Sequence, residues 1–149
     1  MHKILGFVHF HAMPKKPCKL IDNLKVKRGL AGLGLFTEEP IKRGSFIIEY
    51  FGPLLTEKEA DRKAGLYLFE VPDSKWTIDG SGRDNIARYI NHSCKPNCET
   101  IANGKRIYIH ACRNIQAGEE LSYDYGKDYM DGIPCICGYC PHPNPLPQK

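Results

Sequence analysis

The segment that decides the fold is Arg88-Tyr89-Ile90-Asn91-His92-Ser93-Cys94-Lys95-Pro96-Asn97-Cys98. Asn, His and Ser in succession are poor material for a hydrophobic core, because each makes several directional hydrogen bonds and is costly to bury without partners. The residues alone support two interpretations equally. The segment is either a polar turn with one histidine facing the core, or part of a functional site.

Two other segments, one on each side of this one, carry patterns of the same kind. Downstream, Gly118-Glu119-Glu120-Leu121-Ser122-Tyr123-Asp124-Tyr125-Gly126 places two tyrosines on one face of a strand, where they either pack a core or line a pocket with Tyr50. Upstream, Gly32-Leu33-Gly34 lacks the third glycine and the following helix of a dinucleotide-binding loop, so that function is excluded. A tight turn and a glycine loop facing a small ligand both remain.

Seven cysteines are present, and three of them form Cys135-x-Cys137-x-x-Cys140. In a reducing compartment this crowding indicates a metal site rather than disulfides. Tetrahedral zinc needs four ligands. The spacing leaves the fourth open among Cys94, Cys98 and His142.

The composition is that of one ordinary globular domain. The chain has 149 residues, of which 42% are hydrophobic and 26% charged, which excludes a disordered chain, a collagen and a coiled coil. No apolar run approaches the roughly 20 residues that span a bilayer, and no secretory signal is recognisable, so we expect an intracellular protein without a membrane partner. The net charge of +4 is spread among interleaved charges, so no direct sequence-specific binding of nucleic acid is expected.

Short segments interrupted by glycine and proline predict a mostly β fold, a β-rich α+β domain. The predicted strands are 24–27, 46–51, 67–71, 76–78, 98–102, 106–111 and 121–125. One clear helix is predicted over Thr56–Ala64, with a capping box from Thr56 to Glu59 and its end at Gly65. Residues 85–90 suggest a short helical stretch, and Asn103-Gly104 predicts a β-hairpin.

In order and spacing, Gly32–Phe36, Glu49-Tyr50-Phe51-Gly52, Arg88–Cys98 and Gly118–Tyr125 resemble the SET-domain protein lysine methyltransferases, and the cysteine cluster resembles that family's post-SET zinc site. The resemblance covers roughly residues 24–140. It implies the SET fold, in which small β-sheets surround a threaded C-terminal segment (a pseudoknot) and a zinc-stapled tail follows. The implied domains are an N-terminal extension at 1–22, a SET domain at 23–126 and a post-SET-like tail at 127–149.

The resemblance also implies an activity and the residues that perform it. The chain would be a protein-lysine N-methyltransferase that uses S-adenosylmethionine, releases S-adenosylhomocysteine and carries a structural zinc. Tyr125 would be the catalytic tyrosine and Tyr50 would position the substrate amine, while Tyr123 would bias the reaction to monomethylation. The implied cofactor-binding residues are Ala31, Gly32, Leu33, Gly34, Tyr67, Arg88, Asn91, His92 and Tyr125. The implied zinc ligands are Cys94, Cys135, Cys137 and Cys140, with Ile133 or Tyr139 walling the lysine channel.

Two features depart from the family pattern. Relatives often carry a basic side chain where Ala31 or Leu33 stands, so Lys27 or Arg28 is the candidate to compensate. The usual post-SET spacing is C-x-C-x4-C, whereas this chain has C-x-C-x2-C, so Cys98 or His142 is an alternative ligand.

Two other functions compete with an active enzyme. One is a catalytically silent SET module that binds a peptide or protein, and the other is a zinc-stapled nucleic-acid binder. The presence of Tyr50, Tyr125, Asn91 and His92 argues against the first, and the modest charge argues against the second. The expected partner is a protein carrying a target lysine, such as a histone or another basic protein. The compact architecture favours a prokaryotic, cytoplasmic protein; a eukaryotic one would be nuclear or chromatin-associated.

Overall fold

The computed structural model describes residues 22–140. The elements in this range are β1 Leu24–Gly29, β2 Gly32–Thr37, β3 Phe46–Tyr50, β4 Leu54–Thr56, α1 Glu57–Lys63, β5 Leu68–Glu70, β6 Trp76–Asp79, a 3-10 helix Ile86–Tyr89, β7 Asn91–His92, β8 Cys98–Asn103, β9 Arg106–Ala111, β10 Ser122–Tyr123 and α2 Lys127–Met130. Short strands dominate, which confirms the predicted mostly β, β-rich α+β architecture. Within the described range, neither helix has the length and apolarity needed to cross a membrane.

The strands form small sheets rather than one large one. β1 and β2 make an antiparallel hairpin, β3-β9-β8 and β4-β6-β5 are three-stranded, and β7 pairs with β10. The β7–β10 pair is parallel, with Asn91 opposite Ser122 and His92 opposite Tyr123. Parallel neighbours need a long crossover, and the β8–β9 hairpin lies within it. This pairing brings Asn91 and His92 beside the segment that leads to Tyr125, as predicted.

The core is built from aliphatic residues of β2, β3 and β9 together with two tyrosines. Leu35, Ile47 and Ile107 are fully buried. Tyr50 and Tyr123 are the two largest fully buried side chains, exposed by 1% and 2%. This burial confirms that both tyrosines pack the core, and their lining of a pocket stays a prediction.

The local signals in the sequence were accurate, with small errors at the ends of elements. The backbone N–H of Thr56 donates to Glu59 Oε2 over 2.7 Å, which confirms the capping interaction before α1. The helix ends at Lys63, and Ala64 takes a φ of 37°, so the predicted end at Gly65 was one residue late. The predicted hairpin is present, since Asn103 pairs with Arg106 across a two-residue turn.

Four elements were not predicted, namely β2, β4, β7 and α2. The predicted strand over 121–125 is shorter, because β10 contains only Ser122 and Tyr123. Nearly all of the expected extension at 1–22 and the tail beyond Cys140, including His142, lie outside the described residues.

Candidate active site and metal cluster

A cleft of about 850 Å³ lies between the β1–β2 turn, β7, and the segment from Tyr125 to the cysteine cluster. Its lining includes Leu30, Ala31, Asn91, His92, Glu120, Tyr125, Tyr129, Met130, Ile133 and Tyr139. Polar groups from β7 thus face aromatic and aliphatic side chains from the C-terminal part of the described chain. A cleft with mostly apolar walls and a few polar groups is the usual form of a small-molecule site.

The predicted tyrosines form one aromatic cluster, in which Tyr125 lines the cleft and Tyr50 and Tyr123 lie in the adjoining core. The rings of Tyr123 and Tyr125 lie 4.9 Å apart, and Tyr125 meets Tyr129 edge-on at 4.9 Å. Phe69 lies between Tyr50 and Tyr123, with ring centroids 5.3 Å and 6.2 Å away. Tyr129 was not singled out from the sequence, since a lone tyrosine in the tail carried no distinguishing signal.

Two of the phenols donate to main-chain carbonyl groups. The hydroxyl of Tyr125 donates to the carbonyl oxygen of Ile90 over 2.5 Å, and that of Tyr50 donates to the carbonyl oxygen of Tyr67 over 2.8 Å. Burial raises the pKa of Tyr50, Tyr123 and Tyr125 well above the usual phenol value. All three therefore remain neutral near pH 7.

His92 lies between the Tyr125 segment and the cysteine cluster. Its Nδ1 accepts a hydrogen bond from the backbone N–H of Tyr125 over 3.1 Å, and its Nε2 lies 3.4 Å from Cys94 Sγ. Burial lowers the pKa of His92, although the carboxylate of Asp124 opposes this effect. The ring is therefore neutral at pH 7. Because Nδ1 accepts, the proton resides on Nε2 and points to the sulfur.

Asn91 connects the glycine-rich hairpin to the segment before β10. Its side-chain amide donates to the carbonyl oxygen of Leu33 over 3.1 Å and to Glu120 Oε1 over 2.7 Å. A Cβ at Gly34 would lie 2.2 Å from Glu120 Oε1, so any larger residue there would displace the Glu120 carboxylate. Glu120 was not identified from the sequence, because a carboxylate in a Gly-Glu-Glu turn resembles an exposed one.

Tyr67 and Arg88 contact each other near Tyr50. The Arg88 guanidinium lies 4.5 Å from the centre of the Tyr67 ring, within cation–π distance. Its Nη1 donates to the carbonyl oxygen of Ser81, while its buried Nε has no hydrogen-bond partner among residues 22–140. Buried polar groups are rarely left unpaired, so this N–H is a candidate donor to a bound group.

Four sulfur atoms gather at the end of the described chain. Cys94 Sγ lies 3.8 Å from Cys135 Sγ and 3.4 Å from Cys140 Sγ, and Cys137 Sγ lies 3.9 Å from Cys140 Sγ. Ligands about 2.3 Å from a tetrahedral zinc are roughly 3.8 Å apart, so the spacing fits. The ligand atoms of His92, Cys94, Cys135 and Cys137 also lie within 4.8 Å of one another, which makes His92 a competing ligand.

The alternative ligand Cys98 lies elsewhere. It is 1% exposed in the core, and its thiol donates to Asn97 Oδ1. The predicted substitution of Cys98 into the cluster therefore does not match the arrangement.

The predicted cofactor-binding residues fall into three groups, of which one lines the cleft. Ala31, Asn91, His92 and Tyr125 line it directly. Leu33 adjoins it through the Asn91 bond, with Gly32 and Gly34 on the same strand, while Tyr67 and Arg88 lie beside Tyr50. Of the two candidate compensating cations, Lys27 approaches Glu38 at 3.7 Å.

Residues 32–126 match the family model described as "SET domain". The chain is 39% identical over 141 residues to "Histone-lysine N-methyltransferase, H3 lysine-4 specific" from Aspergillus oryzae, covering 83% of this chain and 11% of that protein. It is 42% identical over 125 residues to "Histone-lysine N-methyltransferase ATXR7" from Arabidopsis thaliana, covering 72% and 9%. It is 43% identical over 118 residues to "Histone-lysine N-methyltransferase set1" from Dictyostelium discoideum, covering 70% and 8%. The chain spans about a tenth of the length of these relatives.

Proposed function

The chain belongs to the SET domain family, and from this membership and the cleft we propose that it is an S-adenosylmethionine-dependent protein-lysine N-methyltransferase. The observation that carries the proposal is that Asn91, His92 and Tyr125 line one cleft, while Tyr123 packs against Tyr125 and Tyr50 belongs to the same aromatic cluster in the adjoining core. A catalytically silent binding module is the less favoured alternative, since it has no need of this complete polar set.

The cleft suits the proposed methyl donor. S-adenosylmethionine, when bound, supplies a methyl group activated by a sulfonium centre. The unpartnered Nε of Arg88 beside Tyr67 fits a carboxylate. Asn91 and His92 would hold the rest of the donor together with Ala31, Tyr125 and the backbone of Gly32, Leu33 and Gly34.

The tyrosines are suited to orienting a lysine amine. Because the protons of Tyr50 and Tyr125 are directed to carbonyl oxygens, each phenol oxygen retains lone pairs that can accept N–H bonds. In-line displacement depends chiefly on such alignment. Free lysine has a pKa of ~10.4, so holding the amine neutral near pH 7 costs roughly 4–5 kcal/mol. Desolvation against neutral tyrosines reduces that cost, whereas a carboxylate would stabilise the ammonium form.

Tyr123 supports the proposed bias toward monomethylation. It is fully buried and its ring contacts that of Tyr125. A phenol at this position occupies space that additional methyl groups on the amine would need, and its hydroxyl can hold a water there.

A structural zinc is proposed for the cysteine cluster. Cys94, Cys135, Cys137 and Cys140 present sulfurs at tetrahedral spacing, and thiolate sets of this kind are typical zinc ligands. His92 then acts as a hydrogen-bond donor to Cys94 and not as a ligand. The metal would hold Ile133 and Tyr139 against the cleft, where both side chains line the wall.

The proposed substrate is a lysine in a histone or another basic protein. The relatives named above are eukaryotic histone-lysine N-methyltransferases by their names, which supports a nuclear or chromatin-associated location. We also retain the proposed boundaries at 23–126 and 127–149, supported by the end of the family match at residue 126.

Transfer of a labelled methyl group from S-adenosylmethionine to core histones, a basic DNA-binding protein and a cell lysate tests the activity. Label on lysine, lost with Tyr125→Phe but retained with Tyr108→Phe, is the expected result. Tyr108 lies on β9 beside Phe46, so it is a matched control outside the cleft. Binding of donor without any transfer would indicate a wrong panel or a missing partner, whereas absence of both binding and transfer would favour the silent module.

A further inference from the structure

Glu120 lies between the glycine-rich hairpin and the C-terminal strand. Its main chain bridges to Phe36 of β2, and its side chain fills the space next to two glycines. A Cβ added to Gly34 would lie 2.2 Å from one carboxylate oxygen of Glu120. A Cβ added to Gly29 would lie 2.5 Å from the other oxygen. The hairpin backbone therefore approaches the Glu120 carboxylate as closely as glycine allows.

Asn91 is the polar side-chain partner of this carboxylate. Glu120 Oε1 accepts from Asn91 Nδ2 over 2.7 Å, and no lysine, arginine or histidine of residues 22–140 forms an ion pair with it. The neighbouring carboxylate behaves differently, because Glu119 pairs with Arg113 at 2.7 Å. A role for Glu120 in a stabilising salt bridge is thereby excluded within the described chain.

The two acceptors around Asn91 determine how its amide is oriented. Nδ2 donates both to Glu120 and to the carbonyl oxygen of Leu33, 3.1 Å away. Turning the amide over would direct Oδ1 at two acceptors and lose both hydrogen bonds. The carboxylate therefore leaves Oδ1 as the free acceptor of a side chain that lines the cleft.

We propose that Glu120 is a positioning residue that locks the Asn91 amide so that Oδ1 accepts from the ammonium group of the methyl donor. This inference rests on the proposed function. Glu120 acts on the donor only through Asn91. The property that matters is the oxygen of Glu120 that accepts the Asn91 hydrogen bond, and its negative charge is not essential.

Four variants separate these roles by calorimetric binding of S-adenosylmethionine and S-adenosylhomocysteine, with melting temperature measured alongside. Glu120→Gln retains an acceptor oxygen and is expected to stay within about threefold of the original affinity. Glu120→Met is similar in length without an acceptor, and should weaken both ligands about tenfold or more, as loss of a hydrogen bond to a charged group does. Glu120→Asp keeps the charge but is too short, and should also weaken both. Glu70→Gln is the control, because this glutamate lies on β5 and does not line the cleft, and it should bind as the original chain does.

Several results would overturn the assignment. If Glu120→Met lowers the melting temperature but leaves both affinities intact, the residue is merely structural. If Glu120→Gln weakens the sulfonium ligand and spares S-adenosylhomocysteine, its charge matters instead. In an Asn91→Ala background, Glu120→Asp should cause no further loss; an additive loss contradicts action through Asn91. If Glu120→Met does not fold, the ligand affinities of Glu120→Asp alone decide whether the proposal holds. If the unmodified chain binds neither ligand, the proposed function itself fails.

Discussion

The Tyr50 hydroxyl and the backbone N–H of Gly80 both donate to the carbonyl oxygen of Tyr67, each over 2.8 Å. That carbonyl therefore keeps one hydrogen bond when the Tyr50 hydroxyl is removed. Removing the Tyr50 hydroxyl therefore leaves no buried acceptor unsatisfied. For this reason the effect of the phenol on stability can be measured apart from its effect on catalysis.

Tyr50→Phe is accordingly expected to cost only about 0.5–1.5 kcal/mol of unfolding free energy. Its turnover should fall far more, by about 100-fold, because an aligned hydrogen-bonding oxygen at the amine is lost. Chemical denaturation and methyl-transfer kinetics on the same preparation measure the two effects. Unchanged turnover would remove Tyr50 from the site, and a collapse of stability would reduce it to a core residue.

Tyr123→Phe should extend the methylation of the product. Removing the buried hydroxyl frees a space about the size of a water molecule beside Tyr125, and a methylated amine can then rotate and realign. Mass spectrometry of the modified substrate is expected to shift from monomethyl-lysine to di- and trimethyl-lysine. A parent chain that already yields mainly trimethyl-lysine would refute the role given to Tyr123.

The sequence predicted those parts of the site that depend on residue types at fixed spacing. The Asn91-His92 pair, the two tyrosines of Gly118–Tyr125 and the three clustered cysteines were found because few other functions require such residues together. The hairpin over 98–111 and the Thr56 cap were predicted because each is determined by residues close in sequence.

The features of the fold and the site that were not predicted depend on contacts between residues distant in sequence. β7 and β10 contain two residues each, and only their mutual pairing makes them strands. The helix end at Ala64, with its φ of 37°, departs from the glycine that local rules favour. Glu120 was missed because its partners, Gly29, Gly34 and Asn91, come from segments 29 to 91 positions away in a chain whose pairing was not known.

Metal analysis should find one zinc per chain, bound through the four clustered cysteines. Cys135→Ser and Cys140→Ser are expected to lose the metal and to lower the melting temperature, because metal binding contributes directly to the order of such a segment. Cys112→Ser is the matched control, since that half-buried thiol donates to the carbonyl oxygen of Pro96 and lies outside the cluster. Cobalt substitution provides a spectroscopic count of the thiolate ligands.

The same measurement distinguishes the two possible ligand sets. With four sulfur ligands, His92→Ala retains the metal and the intensity of the thiolate-to-cobalt bands. If His92→Ala loses the metal while Cys140→Ser keeps it, the set is His92, Cys94, Cys135 and Cys137, whose ligand atoms also lie within 4.8 Å of one another.

Gly34→Ala should destabilise the chain by about 1–3 kcal/mol, the usual cost of forcing an extra methyl group into a packed site. The new Cβ would lie 2.2 Å from Glu120 Oε1 and would displace the carboxylate from Asn91. Gly65→Ala is the control, because nothing lies within 4 Å of its Cβ position. Equal unfolding free energies for the two variants would show that the hairpin moves aside without cost.

Turnover should rise with pH between about 7 and 9.5, with no descending limb from the tyrosines. Burial raises the pKa of Tyr50 and Tyr125 well above 10, so both phenols stay neutral throughout this range, while the fraction of neutral substrate lysine increases. The raised pKa values of these tyrosines also contribute to the free energy of unfolding. That contribution is fully present below pH ~10 and declines above it, because the tyrosines of the unfolded chain ionise first. Rates at saturating donor and substrate, checked for an intact fold at each pH, give the profile. A fall in rate below pH 9.5 with the fold intact would show that one of these phenols ionises in the working range.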